Sequence, residues 1–182
     1  MPTTDNAPPA PSHDSRFVSY LLAVLEKDKG MAARLRRADN PATEYQSWEF
    51  LAGFGIDLEK EYQRLPFVTV AAAMARAKPG SNGSLRLGQA IARCYDDGNQ
   101  SDQAKAKLRR VLACEDMAEL CRILRPVLTL IESRISQPLD YTRLLSQLKR
   151  FSWDAQKTRA QWAQEFYGQQ AETEASAQEA SA

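Results

Sequence analysis

Apolar residues recur along this chain at helical spacing, and nowhere does a second segment alternate with the period of a strand. Phe17, Leu21, Val24 and Leu25 fall on one stripe, so a helix is predicted from a cap at Ser15 or Asp14 to about Asp28. In Lys29–Ala38, Met31, Leu35 and Ala38 share a narrow arc, and Arg34, Arg36 and Arg37 occupy the rest of the wheel. Asn40-Pro41 reads as an N-cap and first helical position. It opens a helix that presents Tyr45, Trp48, Leu51 and Ala52 on one side and ends at Gly53 and Gly55. A further helix is predicted from Asp57 through Leu65 to Arg76, kinked or split at Pro66. Val68-Thr69-Val70 would suit a strand, but no partner strand exists for it.

Lys78-Pro-Gly-Ser-Asn-Gly-Ser84 is the clearest internal loop. Beyond it, Leu85, Leu87, Gly88, Ile91 and Ala92 predict a small-residue helix onto which another backbone can pack closely. Ser101 or Asp102 caps a helix with Ala104, Leu108, Val111 and Leu112 on one face. Glu115-Asp116 precedes the longest amphipathic run, Leu120, Ile123, Leu124, Val127, Leu128 and Ile131, with Pro126 inside it. Asp140 caps a helix with Tyr141, Leu144, Leu145 and Leu148 inward. Ser152 caps the last one, with Trp162, Ala163 and Phe166 inward and Lys157 and Arg159 outward. The predicted fold is all-α, about eight helices packed as two small bundles. The expected division is a disordered head at 1–13, an N-terminal lobe at 14–77, the loop at 78–84, a C-terminal lobe at 85–167 and an acidic disordered tail at 168–182.

Charge changes the picture. Lys and Arg number 24 against 23 Asp and Glu. Four of the acids, Asp5, Glu172, Glu174 and Glu179, lie in the two ends, which hold no base. Residues 14–167 therefore carry a net charge of +5, and much of it is clustered. Lys29, Arg34, Arg36 and Arg37 form one cluster; Lys105, Lys107, Arg109 and Arg110 form another. An exposed helix face of this kind offers a polyanion several charge-assisted contacts.

Catalytic and metal-binding chemistry is sparse. The only histidine, His13, falls in the head. Asp96, Asp97 and Asp102 are explained by a solvated turn and a cap. Cys94, Cys114 and Cys121 form no CxxC or zinc spacing and read as buried, reduced thiols. No phosphate-binding glycine loop, dinucleotide fingerprint or HExxH occurs. The tryptophans and tyrosines sit at core spacings, where packing outweighs base stacking. No apolar run approaches the ~18 residues of a membrane span, and no export signal is visible, so a cytoplasmic protein without metal or cofactor is expected.

Order and spacing then carry a resemblance. Gly30-Met-Ala-Ala-Arg-Leu-Arg-Arg-Ala38 and Pro41 are followed by Leu87-Gly-Gln-Ala-Ile-Ala92, Leu108-Arg-Arg-Val-Leu-Ala113, Glu119-Leu120, Ile123-Leu124, Asp140-Tyr-Thr-Arg-Leu-Leu145 and Trp162-Ala-Gln-Glu-Phe-Tyr167. Over roughly residues 16–168 this resembles the CasB-type small subunit of the type I-E CRISPR Cascade complex. The resemblance implies a non-catalytic, two-bundle helical protein present in two copies beside other Cascade subunits. It also implies a basic surface that meets CRISPR RNA and target DNA by their phosphates and holds the displaced strand of an R-loop. The candidate nucleic-acid-binding residues are Lys29, Arg34, Arg36, Arg37, Lys105, Lys107, Arg109, Arg110, Arg143, Lys157 and Arg159. The chain departs from the family at Glu115-Asp116, where relatives often carry a base. The alternative reading is a helical protein–protein adaptor whose basic faces meet acidic partners.

Overall fold

The computed structural model describes residues 10–168. Among them are nine α-helices: α1 (His13–Lys27), α2 (Lys29–Arg37), α3 (Trp48–Gly53), α4 (Glu61–Ala77), α5 (Leu87–Arg93), α6 (Asp102–Leu112), α7 (Met117–Arg134), α8 (Tyr141–Phe151) and α9 (Ala155–Tyr167). Two 3-10 helices, Pro41–Ser47 and Gly98–Gln100, complete the order. An isolated bridge between Leu85 and Leu139 is the only β pairing among these residues. The all-α expectation holds, with one helix more than the eight anticipated.

The helix at the centre is α4. Every residue from Leu65 to Ala75 is buried, the pattern of a helix enclosed on all sides. It packs against α7, α2 and α8, and more lightly against α1 and α3. This enclosure explains why Val68-Thr69-Val70 belongs to a helix. The buried apolar residues form one cluster that runs from Phe17 to Phe166. Pro66 and Pro126 both lie inside helices that continue past them; Pro126 sits on the solvent face of α7.

Several local expectations are corrected. The cap of α1 is Ser12, whose Oγ accepts from the Ser15 amide at 3.1 Å. Asp14 is not a cap but is buried, accepting from Ser146 Oγ and from Lys149 Nζ, each at 2.6 Å. His13, assigned to a disordered head, begins α1 and lies edge-on to Phe54 and Phe67. Residues 1–9 of the head, and the tail from residue 169, lie outside the described residues. After Asn40 the chain takes the tighter 3-10 turn, which rotates successive side chains by about 120° instead of 100°. Glu44, Ser47, Phe50 and Leu51 therefore turn inward, and Tyr45, Trp48 and Ala52 face outward. Asp57 makes a local turn by accepting from the Glu59 amide, and the helix starts only at Glu61. Asp154, not Ser152, caps α9. Trp153, placed in the core by its spacing, is 75% exposed.

The Lys78–Ser84 loop is tied to the start of α8. The Asn82 amide group donates to Asp140 Oδ1 at 3.1 Å, and its oxygen accepts from the Tyr141 amide at 2.8 Å. A Cβ at Gly83 would lie 1.8 Å from the Pro138 carbonyl oxygen, so only glycine fits there. Gly88 plays the same part between α5 and α9, where a Cβ would meet the Trp162 carbonyl oxygen at 2.4 Å. The close helix approach expected of this small-residue segment is therefore present.

Candidate nucleic-acid interface

The first basic face is set by what α2 buries. Asp28 caps the helix by accepting from the Met31 amide at 2.8 Å. Met31, Ala32, Leu35 and Ala38 then pack inward, against α1 and α4. At 100° per residue this leaves Lys29, Arg36 and Arg37 in solvent, and all three are exposed. None has an acidic partner among the described residues. Arg34 differs, because it is paired with Glu49 of α3.

At its C-terminal end α2 is anchored by charge. Asp39 pairs with Arg76 of α4, and Arg125 of α7 approaches its other oxygen at 3.6 Å. Arg76 also grips Glu132 through two bonds of 3.0 Å. Burial raises the Glu132 carboxyl above its usual range, against the opposing pull of Arg76. Burial alone would lower the Arg76 guanidinium, yet Glu132 and Asp39 together hold it above its ordinary value. The cluster joins α2, α4 and α7, so the arginine helix is fixed to the core at the end that bears Arg36 and Arg37.

The second face lies on α6, capped by Ser101 Oγ, which accepts from the Ala104 amide at 3.3 Å. Ala104, Leu108 and Val111 are buried, against α5, α7 and α9. Arg109 and Arg110 are exposed, and Lys105 and Lys107 are half-buried along their stems. Among the described residues none of these four has an acidic partner. Lys157, in the first turn of α9, is exposed and likewise without one.

Arg143 and Arg159 stand apart from this group. Arg143 Nε donates to Glu165 Oε1 at 2.8 Å, and the Glu165 side chain is only 2% exposed. Glu165 also accepts from Gln147 Nε2 at 2.9 Å and from the Gly88 amide at 3.3 Å. Arg159 donates to the Cys114 carbonyl oxygen at 2.6 Å while its guanidinium lies 5.3 Å from the centre of the Phe151 ring. Both are held by the fold. Exposed cations absent from the predicted set are Arg16, Lys27, Lys60, Lys78, Arg86, Arg93, Arg122 and Arg134. They are scattered singly, and spacing gives no signal for such positions.

Among the described residues no group of three or more His, Cys, Asp or Glu side chains is placed to hold a metal ion, and no helix is long and apolar enough to cross a membrane. All three cysteines are free and buried. Burial pushes each thiol up, that of Cys121 to about 11, so none is a ready nucleophile near neutral pH.

The family model of the CRISPR-associated protein Cse2 matches residues 31–167, from the buried edge of α2 to the last turn of α9. The chain belongs to the Cse2 family. The family is non-catalytic, and the resemblance carried by the sequence holds. Among solved structures, the M. ruber CasB crystal structure superposes with a TM-score of 0.72 at 26% identity, covering 90% of this chain and 97% of that one. CasB from Thermus thermophilus gives a TM-score of 0.64 at 24% identity over 87% of this chain and 99% of its own. A chain of a CRISPR RNA-guided surveillance complex shares the fold, with a TM-score of 0.66 at 21% identity over 91% and 97%. No curated protein matches by sequence.

Proposed function

We propose that the chain is the small subunit of a Cascade-type CRISPR RNA-guided surveillance complex. In this reading it holds the displaced non-target strand, and the adjoining guide and target backbone, through the faces of α2 and α6 with Lys157. One observation carries it: nine of the eleven predicted cations have no acidic partner among the described residues, and six of them are exposed. These are Lys29, Arg36, Arg37, Arg109, Arg110 and Lys157. Arg34, Arg143 and Arg159 drop to supporting roles because their charges are already engaged.

The chemistry suits the task. Exchange of a DNA duplex for an RNA–DNA heteroduplex is nearly balanced in free energy. Any protein that binds the released strand by its phosphates shifts that balance without reading sequence. Other Cascade subunits and a second copy of the chain are the proposed neighbours, and the exposed rings of Tyr45, Trp48 and Trp153 offer them contact area.

Each phosphate contact to a single strand contributes about −0.7 to the slope of log K against log salt. Arg36→Ala/Arg37→Ala should therefore flatten that slope by roughly 0.7 to 1.4, and Arg109→Ala/Arg110→Ala should do likewise. All sequences should weaken about equally, since phosphates carry no base identity. An unchanged slope with well-folded variants would assign these faces to protein contacts instead.

A further inference from the structure

Two cavities adjoin where α4 and α7 begin and α8 ends. The first, about 370 Å³, has the buried Ile56 and Phe67 as its floor and the rings of Tyr62 and Trp153 as its walls. Tyr62 is half exposed and Trp153 more so, which leaves a large apolar surface in water. The cation at its edge, Lys149, is already taken by Asp14 at 2.6 Å, and His13 lies 3.8 Å from the same carboxylate. Trp153 stands on a fixed turn: its amide donates to the Arg150 carbonyl oxygen at 3.0 Å, and the next residue, Asp154, caps α9. An anchor held in this way loses little freedom when a ligand covers it.

The second cavity, about 510 Å³, shares Tyr62 with the first and continues along Phe151 and Ser152, the residues that lead to Trp153. Glu61, Glu115 and Asp116 line it, and no cation does. Asp116 uses one oxygen to cap α7, accepting from the Glu119 amide at 2.7 Å. The side chains of Glu61 and Glu115 are exposed and have no hydrogen-bond or ion-pair partner among the described residues. Helix starts favour nearby acids, yet neither start brings a counter-ion here. This end of the molecule therefore repels phosphate and attracts a cation. A guanidinium suits it, because it bonds carboxylates in pairs and stacks on a ring such as that of Tyr62. An apolar side chain fits the first cavity, an arginine fits the second, and Tyr62 sets them side by side. Adjacent side chains of such different character are what a polypeptide segment presents.

We propose that this double cavity docks a basic segment of a partner polypeptide, with an apolar side chain against Ile56, Tyr62 and Trp153 and a neighbouring arginine facing Glu61, Glu115 and Asp116. The docking needs no nucleic acid; that the segment belongs to a sister subunit rests on the reading given above. The surface is then divided by charge: the exposed cations of α2 and α6 serve the strand, and this acidic, aromatic end serves a protein.

Docking is tested on the full chain by NMR with a capped probe peptide, Gly-Ser-Leu-Arg-Arg-Ser-Gly. The probe should shift the Trp153 indole N–H and the amides of Tyr62 and Met117, saturably and together. Replacing its leucine by serine, or both its arginines by glutamate, should remove the effect. Trp153→Ala should weaken binding at least about fivefold. Glu61→Gln/Glu115→Gln/Asp116→Asn should weaken it roughly three- to tenfold at low salt, asparagine being as good a cap as aspartate. Shifts confined to other residues, equal binding of the glutamate peptide, or indifference to both variants would overturn the proposal. So would a single-stranded oligonucleotide that moves these signals where the peptide does not, since the rings would then belong to bases. The sister-subunit assignment is tested by competition between the parent chain and the variant carrying all four substitutions for a limiting amount of the other Cascade subunits. The parent should be taken up several-fold in excess. Equal uptake would overturn that assignment even with a bound peptide. If neither chain is taken up, the Cascade reading fails, while the peptide shifts alone still decide docking.

Discussion

The arginines of α2 and those of the α8–α9 seam look alike in sequence and behave in opposite ways. Both sets sit on the polar side of an amphipathic helix. On α2, Arg36 and Arg37 stand over a helix whose buried arc is wholly apolar, so nothing beneath them can take their charge. In the seam, Arg143 and Arg159 flank helices that also bury polar groups: Gln147, Thr158 and Glu165 are all covered. There the cation satisfies an internal acceptor. A basic helix face is thus available to a ligand only where the layer below it makes no polar demand.

Identical truncations should separate the two regions. Arg143→Ala leaves Glu165 buried without its counter-charge, so a loss of about 3 kcal/mol is expected in chemical denaturation. A smaller loss would mean that Gln147 and the Gly88 amide suffice for Glu165 by themselves. Arg159→Ala removes one hydrogen bond to a carbonyl and the stacking over Phe151, and should cost about 1–2 kcal/mol. Arg36→Ala/Arg37→Ala should move stability by less than about 0.5 kcal/mol, since exposed charges contribute little. Its effect belongs to the salt dependence of strand binding. A destabilised Arg36/Arg37 variant, or a seam variant that keeps full stability and loses strand binding, would break the distinction.

Much of the fold was legible because it depends on local period. The arcs of Met31, Leu35 and Ala38, of Ala104, Leu108 and Val111, and of Leu120, Leu124 and Leu128 are buried as their spacing predicts. Asn40, Ser101 and Asp140 cap the helices they were expected to cap. The errors arise where a different helix type or a distant partner decides. The Pro41–Ser47 segment follows 3-10 geometry, which reversed the assignment of Tyr45 and Trp48. Asp14 resembles a cap in sequence, but its partners are more than 130 residues away. Arg143 and Glu165 lie on different helices, and Arg159 meets a carbonyl 45 residues earlier. Periodicity reveals which side of a helix is polar and says nothing about what waits opposite. The basic faces of α2 and α6 could therefore be found from the sequence, while the free and engaged cations could be sorted only in three dimensions.

The bond between Asp14 and Lys149 also sets an order of events during synthesis. At the ~5–20 residues per second of a working ribosome, α1 emerges roughly 7 to 27 seconds before the lysine that pairs with its first turn. Through that interval Phe17 and Leu21 can find only α2, α3 and α4, and the Asp14 carboxylate must remain in water. The amino-terminal helix is thus among the first parts made and among the last to be locked. A nascent chain stalled before residue 146 should expose that helix to a protease that the finished protein resists.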